Sequence, residues 1–74
     1  MLSKCVMYGI EYERIEKIKS YSIYSLKYVG SDLIIGYDVI KGSGQFPKTE
    51  EWGIRAWSFT TLNAARNKIP KSIL

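Results

Sequence analysis

A chain with one cysteine and no histidine cannot staple itself together. Cys5 has no partner for an intrachain disulfide, and the missing imidazole excludes histidine-based zinc sites, histidine triads and a histidine pH switch. These 74 residues must hold their fold by packing. The margin is narrow. Scaling by size, folding removes roughly 7,000 Å² of surface from water, and if about 60% of it is apolar, burial contributes on the order of 110 kcal/mol. Ordering the chain costs about 1.5 kcal/mol per residue, again on the order of 110 kcal/mol. A core that closes this balance has to be efficient. The material is present: 46% of residues are hydrophobic and 14% aromatic, which excludes disorder by low hydrophobicity. The ring-bearing side chains are therefore expected to fill an undersized interior first. Residues 1–74 read as one small domain, with Cys5 as a small core residue.

The opening run from Met1 to Tyr12 holds one lysine, is broken by Gly9 and reaches Glu11, so no signal peptide is expected. No apolar run approaches the roughly 18 residues of a membrane span. The expectation is a soluble cytoplasmic protein. The net charge of +4 suits an acidic partner without requiring one.

Periodicity places the elements. Val6, Tyr8, Ile10 and Tyr12 alternate as in a half-buried strand. From Tyr12 to Lys19 two periods compete. Tyr12, Ile15 and Ile18 fit a helical stripe with a Glu13–Lys17 pair, but strand residues flank the segment, which favours a turn or a continued strand. Tyr21 to Val29 and Leu33 to Lys41 are rich in aromatic and β-branched residues, with Gly30-Ser31-Asp32 between them. They predict a hairpin, with Ile35, Tyr37 and Val39 on one face of its second strand and Ile34 and Ile40 on the other. Gly42 to Gly53 is irregular, save for one helical turn at Thr49-Glu50-Glu51 that Gly53 ends. Ile54 to Phe59 reads as a strand. Thr60 reads as the N-cap of a helix whose stripe is Leu62, Ala65 and Ile69 and which Pro70 stops, with a frayed tail from Lys71 to Leu74. The fold class is α+β: a small antiparallel β-meander of three to four strands packed by one C-terminal α-helix.

Motifs for chemistry fail on inspection. Gly42 to Thr49 nearly matches a phosphate-binding loop, but Pro47 stands where the second glycine belongs, and proline has no N–H to aim at a phosphate. The same proline breaks a dinucleotide-binding pattern starting at Gly42. Glu11, Glu13 and Glu16 interleave with Arg14, Lys17 and Lys19 as a solvated face, and Glu50 and Glu51 suit a helical start. Asp38 sits mid-strand, where a carboxylate is expected to meet water or a cation. Convergent carboxylates would need a cleft that a domain of this size hardly has room for, so no enzyme, no catalytic residue, no metal and no cofactor are implied.

The most distinctive stretch, from Phe46 to Trp57, holds both tryptophans. Trp57 reads as core. Trp52 and Phe46 read as a lid over an open sheet edge or end, or else Phe46, Lys48, Trp52 and Arg55 form a partner-binding anchor, since Trp and Arg dominate binding hot spots. Tyr8, Tyr12, Tyr24, Tyr28 and Tyr37 fall on strand faces. Tyrosines there can stack single-stranded bases, but the cations are dispersed and no Lys/Arg-Gly-aromatic motif occurs. The basic helix end lacks a helix-turn-helix partner. The run from Tyr37 to Ile69 resembles, in its general look, very small single-domain proteins of bacteria and their phages, and no functional residue follows from that. The reading is a non-enzymatic protein-interaction module, binding a protein or a second copy of itself through an edge such as Leu33 to Lys41. The alternative is nucleic-acid binding through Tyr and Trp stacking.

Overall fold

Alternating apolar residues can bury themselves only against neighbouring strands, and here they build one antiparallel sheet with a helix laid on it. The computed structural model describes residues 4–42, 47 and 49–70. Along the chain run β1 (Lys4–Met7), β2 (Ile10–Ile18), β3 (Tyr21–Tyr28), β4 (Ile34–Lys41), a 3-10 turn (Thr49–Glu51), β5 (Ala56–Phe59) and α1 (Leu62–Lys68). The five strands lie in chain order, β1-β2-β3-β4-β5, each antiparallel to the next. The class is α+β, with five strands where the sequence predicts three to four.

The extra strand has a local cause. Tyr8 and Gly9 both take positive φ, 54° and 75°, a geometry that lets a two-residue turn follow the twist of paired strands. The expected single strand from Val6 to Tyr12 is thereby cut in two, and Met7 pairs with Ile10. Tyr12 to Ile18 is the continuation of a strand, so Glu13 and Lys17 are not helix neighbours.

A β-bulge then lets β2 serve both faces of the sheet. Arg14 pairs with Tyr24 and Glu16 with Ile23, which leaves Ile15 as an extra residue. Tyr12, before the bulge, packs with Tyr24, Ile40 and Ala56 on one face. Ile18, after it, packs with Tyr21, Ile23 and Val39 on the other. A second shift, in β4, leaves Ile35 between the pairs Leu26–Gly36 and Lys27–Ile34. The expected alternation of Ile34, Ile35 and Ile40 therefore breaks at Ile35.

The main core lies under α1, where Ile23, Val39, Ala65 and Ile69 are buried and Tyr37, Trp57, Phe59 and Leu62 pack around them. The helical stripe is the one read from the sequence. The cap differs. Thr61, not Thr60, is the N-cap, extended at φ −126° and accepting from the Ala64 N–H at 3.2 Å. Two adjacent threonines offer the same cap chemistry, and packing of Ala65 and Ile69 chooses between them. Ile54 and Arg55 belong to a turn, so β5 starts at Ala56.

The reading of Leu33 to Lys41 as an edge is overturned. β4 pairs with β3 on one side and β5 on the other, and Val39 and Ile40 are buried on opposite faces. Apolar residues on both faces are what an interior strand requires. The ends of the strand order are β1 and β5. Among the described residues no helix is long and apolar enough to cross a membrane. The predicted frayed tail lies outside the described residues.

Candidate functional site

Of the four residues grouped by sequence, Phe46 and Lys48 lie outside the described residues, as does most of the phosphate-loop near-match. Trp52 and Arg55 share one turn at the end of the helix-free face. Trp52 is half-buried against the Tyr24, Ile40 and Ala56 cluster. Arg55 donates from Nε to Glu51 Oε2 at 2.6 Å and from Nη1 to the Lys41 carbonyl at 2.9 Å. The guanidinium therefore ties the 49–55 turn to the end of β4. Trp57 packs on the main core, with Lys68 Nζ 4.3 Å from its ring centroid. Tyr21 and Tyr24 are buried, and Tyr12, Tyr37 and Phe59 half-buried. Most rings fill the interior, as the narrow folding margin requires.

Two tyrosines do not. Tyr8 is 94% exposed and Tyr28 59%. Both stand at the end of the sheet where the β1–β2 and β3–β4 turns meet, joined by the Val29 N–H donating to the Gly9 carbonyl at 3.1 Å. Val29, Leu33, Ile34 and Ile35 are exposed at the same end, Leu33 by 71%. The sequence names each of these residues as strand or turn material. Their convergence depends on the Tyr8–Gly9 turn, which period-two reasoning passes over.

The second feature is a pocket of 270 Å³ on the helix-free face, over β3, β4 and β5, lined among others by Leu26, Gly36, Asp38, Ser58 and Thr60. Gly36 shapes it. A Cβ there would stand 3.2 Å from the Phe59 carbonyl oxygen, so the position is held without a side chain. Asp38 is 2% exposed, opposite Tyr24 on one side and Ser58 on the other. Its Oδ1 accepts a 2.7 Å hydrogen bond from the Ser58 hydroxyl. This corrects the expectation of a solvated or cation-paired carboxylate, because no cation among the described residues pairs with it. Burial pushes the Asp38 carboxyl above its ordinary value, and the Ser58 hydrogen bond offsets part of that. Burial, then the Asp38 charge, then Cys5 push the Tyr12 phenol up. Cys5 itself is half-buried opposite Tyr12, and burial raises its thiol.

The Glu11, Glu13 and Glu16 row is partly paired. Lys4 meets Glu11 at 3.4 Å and Arg66 meets Glu16 at 2.9 Å. Comparison with protein-family models, curated proteins and solved structures finds no match to this chain.

Proposed function

We propose that this chain is a non-enzymatic protein-interaction module whose partner at the apolar end is a second copy of itself. The observation that carries the reading is the exposure of Tyr8, Tyr28, Val29, Leu33, Ile34 and Ile35 together at one end of the sheet. Burying such a cluster against an equal one stabilises a fold whose own core is minimal. The charges bordering it suit a two-fold contact. Lys27 pairs with Ile34 and Asp32 lies on the adjoining turn, so a copy related by symmetry can set each charge against its opposite. The overall charge of +4 is not concentrated at this end.

Light scattering of the full chain across the micromolar range tests it. A dimer is expected, reverting to monomer in a Tyr8→Ser, Leu33→Asp variant that keeps its circular dichroism. A monomer throughout overturns self-association. The exposed Tyr8 and Tyr28 rings beside Lys27 support a second reading, base stacking on a single strand. It requires Tyr8 and Tyr28 resonances to shift with an oligonucleotide at low salt and to recover as salt rises.

A further inference from the structure

We propose that the pocket over β3, β4 and β5 is a binding site for a primary alkylammonium group, with Asp38 as its counter-ion and the apolar lining of Leu26 and Ile35 receiving the alkyl chain. This site is separate from the apolar end and does not depend on self-association, although Ile35 borders both.

The chemistry follows from what the pocket lacks. Asp38 is almost wholly buried, and its hydrogen-bond donor among the described residues is one neutral hydroxyl, Ser58. A buried carboxylate with a single neutral donor is poorly compensated, and a cation brought to it supplies both charge and N–H donors. The pocket exposes mostly apolar surface around that one acid, so a ligand must be apolar along its body and cationic at one end. The volume of about 270 Å³ has room for a short alkyl chain ending in an ammonium group. Neighbouring groups leave the cation to Asp38. Tyr24 stands opposite it, Tyr12 lies near enough for its phenol to feel the Asp38 charge, and Arg14, opposite Tyr24, lies two strands away in the same row. The upward shift of the Asp38 carboxyl is that of a group whose charge is under-served by its surroundings.

An ammonium on a short chain arrives either as a free amine or as a lysine side chain, and the experiment separates them. The labelled full chain is titrated near neutral pH with n-butylammonium chloride, n-butanol and Nα-acetyl-lysine methylamide, following amide resonances. Butylammonium should shift Gly36, Asp38, Ser58 and Thr60 saturably. Butanol, with the same body and no charge, should bind about ten- to a hundred-fold more weakly, the range for a hydrogen bond to a charged group. Asp38→Asn should bring the two ligands close to parity. Acetyl-lysine methylamide matching butylammonium assigns a peptide side chain, and binding of butylammonium alone assigns a free amine. Equal binding of amine and alcohol to the unaltered chain overturns the site, as does a shift pattern that never saturates. If Asp38→Asn fails to fold, the carboxyl carbon of Asp38 decides. Its titration midpoint must fall when butylammonium is present, and an unmoved midpoint rejects the proposal.

Discussion

Glu16 on β2 and Arg66 on α1 meet through two hydrogen bonds, Nη2 to Oε1 at 2.9 Å and Nε to Oε2 at 3.1 Å. The hydrogen bonding to Glu16 and then its charge hold the Arg66 guanidinium above its ordinary value. The contact exists because Ile15 is a bulge, which turns Glu16 onto the helix-bearing face. Deleting Ile15 removes only the extra residue: Arg14–Tyr24 and Glu16–Ile23 become consecutive pairs, and Glu16 and Ile18 keep the helix-bearing face. Ile18→Ala, which removes a half-buried side chain packed on the main core, should cost on the order of 2 kcal/mol. Ile15→Ala, at a position 41% exposed, should stay within about 1 kcal/mol of the parent. Urea unfolding of the two variants makes the comparison. Equal effects would mean that the bulge does not place Ile18, rather than Ile15, in the core.

The main core should be sensitive to single methylenes. Ile23 is fully buried between Tyr21, Val39 and α1. Ile23→Val should cost about 0.5–1.5 kcal/mol and Ile23→Ala about 2–5 kcal/mol. With total stability of a few kcal/mol for so small a chain, the alanine variant should be largely unfolded at 37 °C by circular dichroism. A folded alanine variant would show that the packing of the Tyr12 and Trp52 face carries more of the stability than the helix-bearing face.

Sequence periodicity made the β3–β4 pair legible because Gly30-Ser31-Asp32 punctuates it and both runs are β-rich. The helical stripe of Leu62, Ala65 and Ile69 was legible for the same kind of reason, an apolar period closed by Pro70. What escaped were departures from period. The Tyr8–Gly9 turn looks like two more strand residues, since tyrosine rarely takes positive φ. Bulges at Ile15 and Ile35 leave no compositional mark. Missing the first turn hid a strand, and missing that strand hid the apolar end that two turns create together. The Asp38 pocket was illegible for another reason. Its burial depends on β5 pairing with β4, so that Ser58 comes to stand beside a residue 20 positions earlier.

Arg55 should act as the clamp of the 49–55 turn. Its guanidinium reaches Glu51 and the Lys41 carbonyl at once, a two-directional grip that a point charge cannot copy. Arg55→Ala should cost about 1–3 kcal/mol. Arg55→Lys should recover less than half of that. Urea unfolding gives the magnitude. Hydrogen exchange at Gly53, whose N–H donates to the Ala56 carbonyl at 2.7 Å, reports whether the loss is local to the turn. Full recovery by lysine would assign the stabilisation to charge alone.

Asp38 should make stability depend on pH in the direction opposite to an ordinary ion-paired carboxylate. Burial raises its folded value above 3.8, the value it has when unfolded. Between the two, the native state holds the proton that the unfolded chain has released, so unfolding becomes easier as pH rises through that window. Below the window both states are protonated, and the native state keeps the full benefit of a neutral side chain. Above it the buried charge is present and its penalty is constant. Asp38→Asn keeps an acceptor for the Ser58 hydroxyl and cannot ionise. Its advantage over the parent should therefore be smallest at low pH, grow through the window and level off towards neutrality. Urea midpoints for both proteins, from about pH 3 to about pH 7, supply the test. A difference that is flat across that range would mean that Asp38 ionises in the folded protein as it does in water.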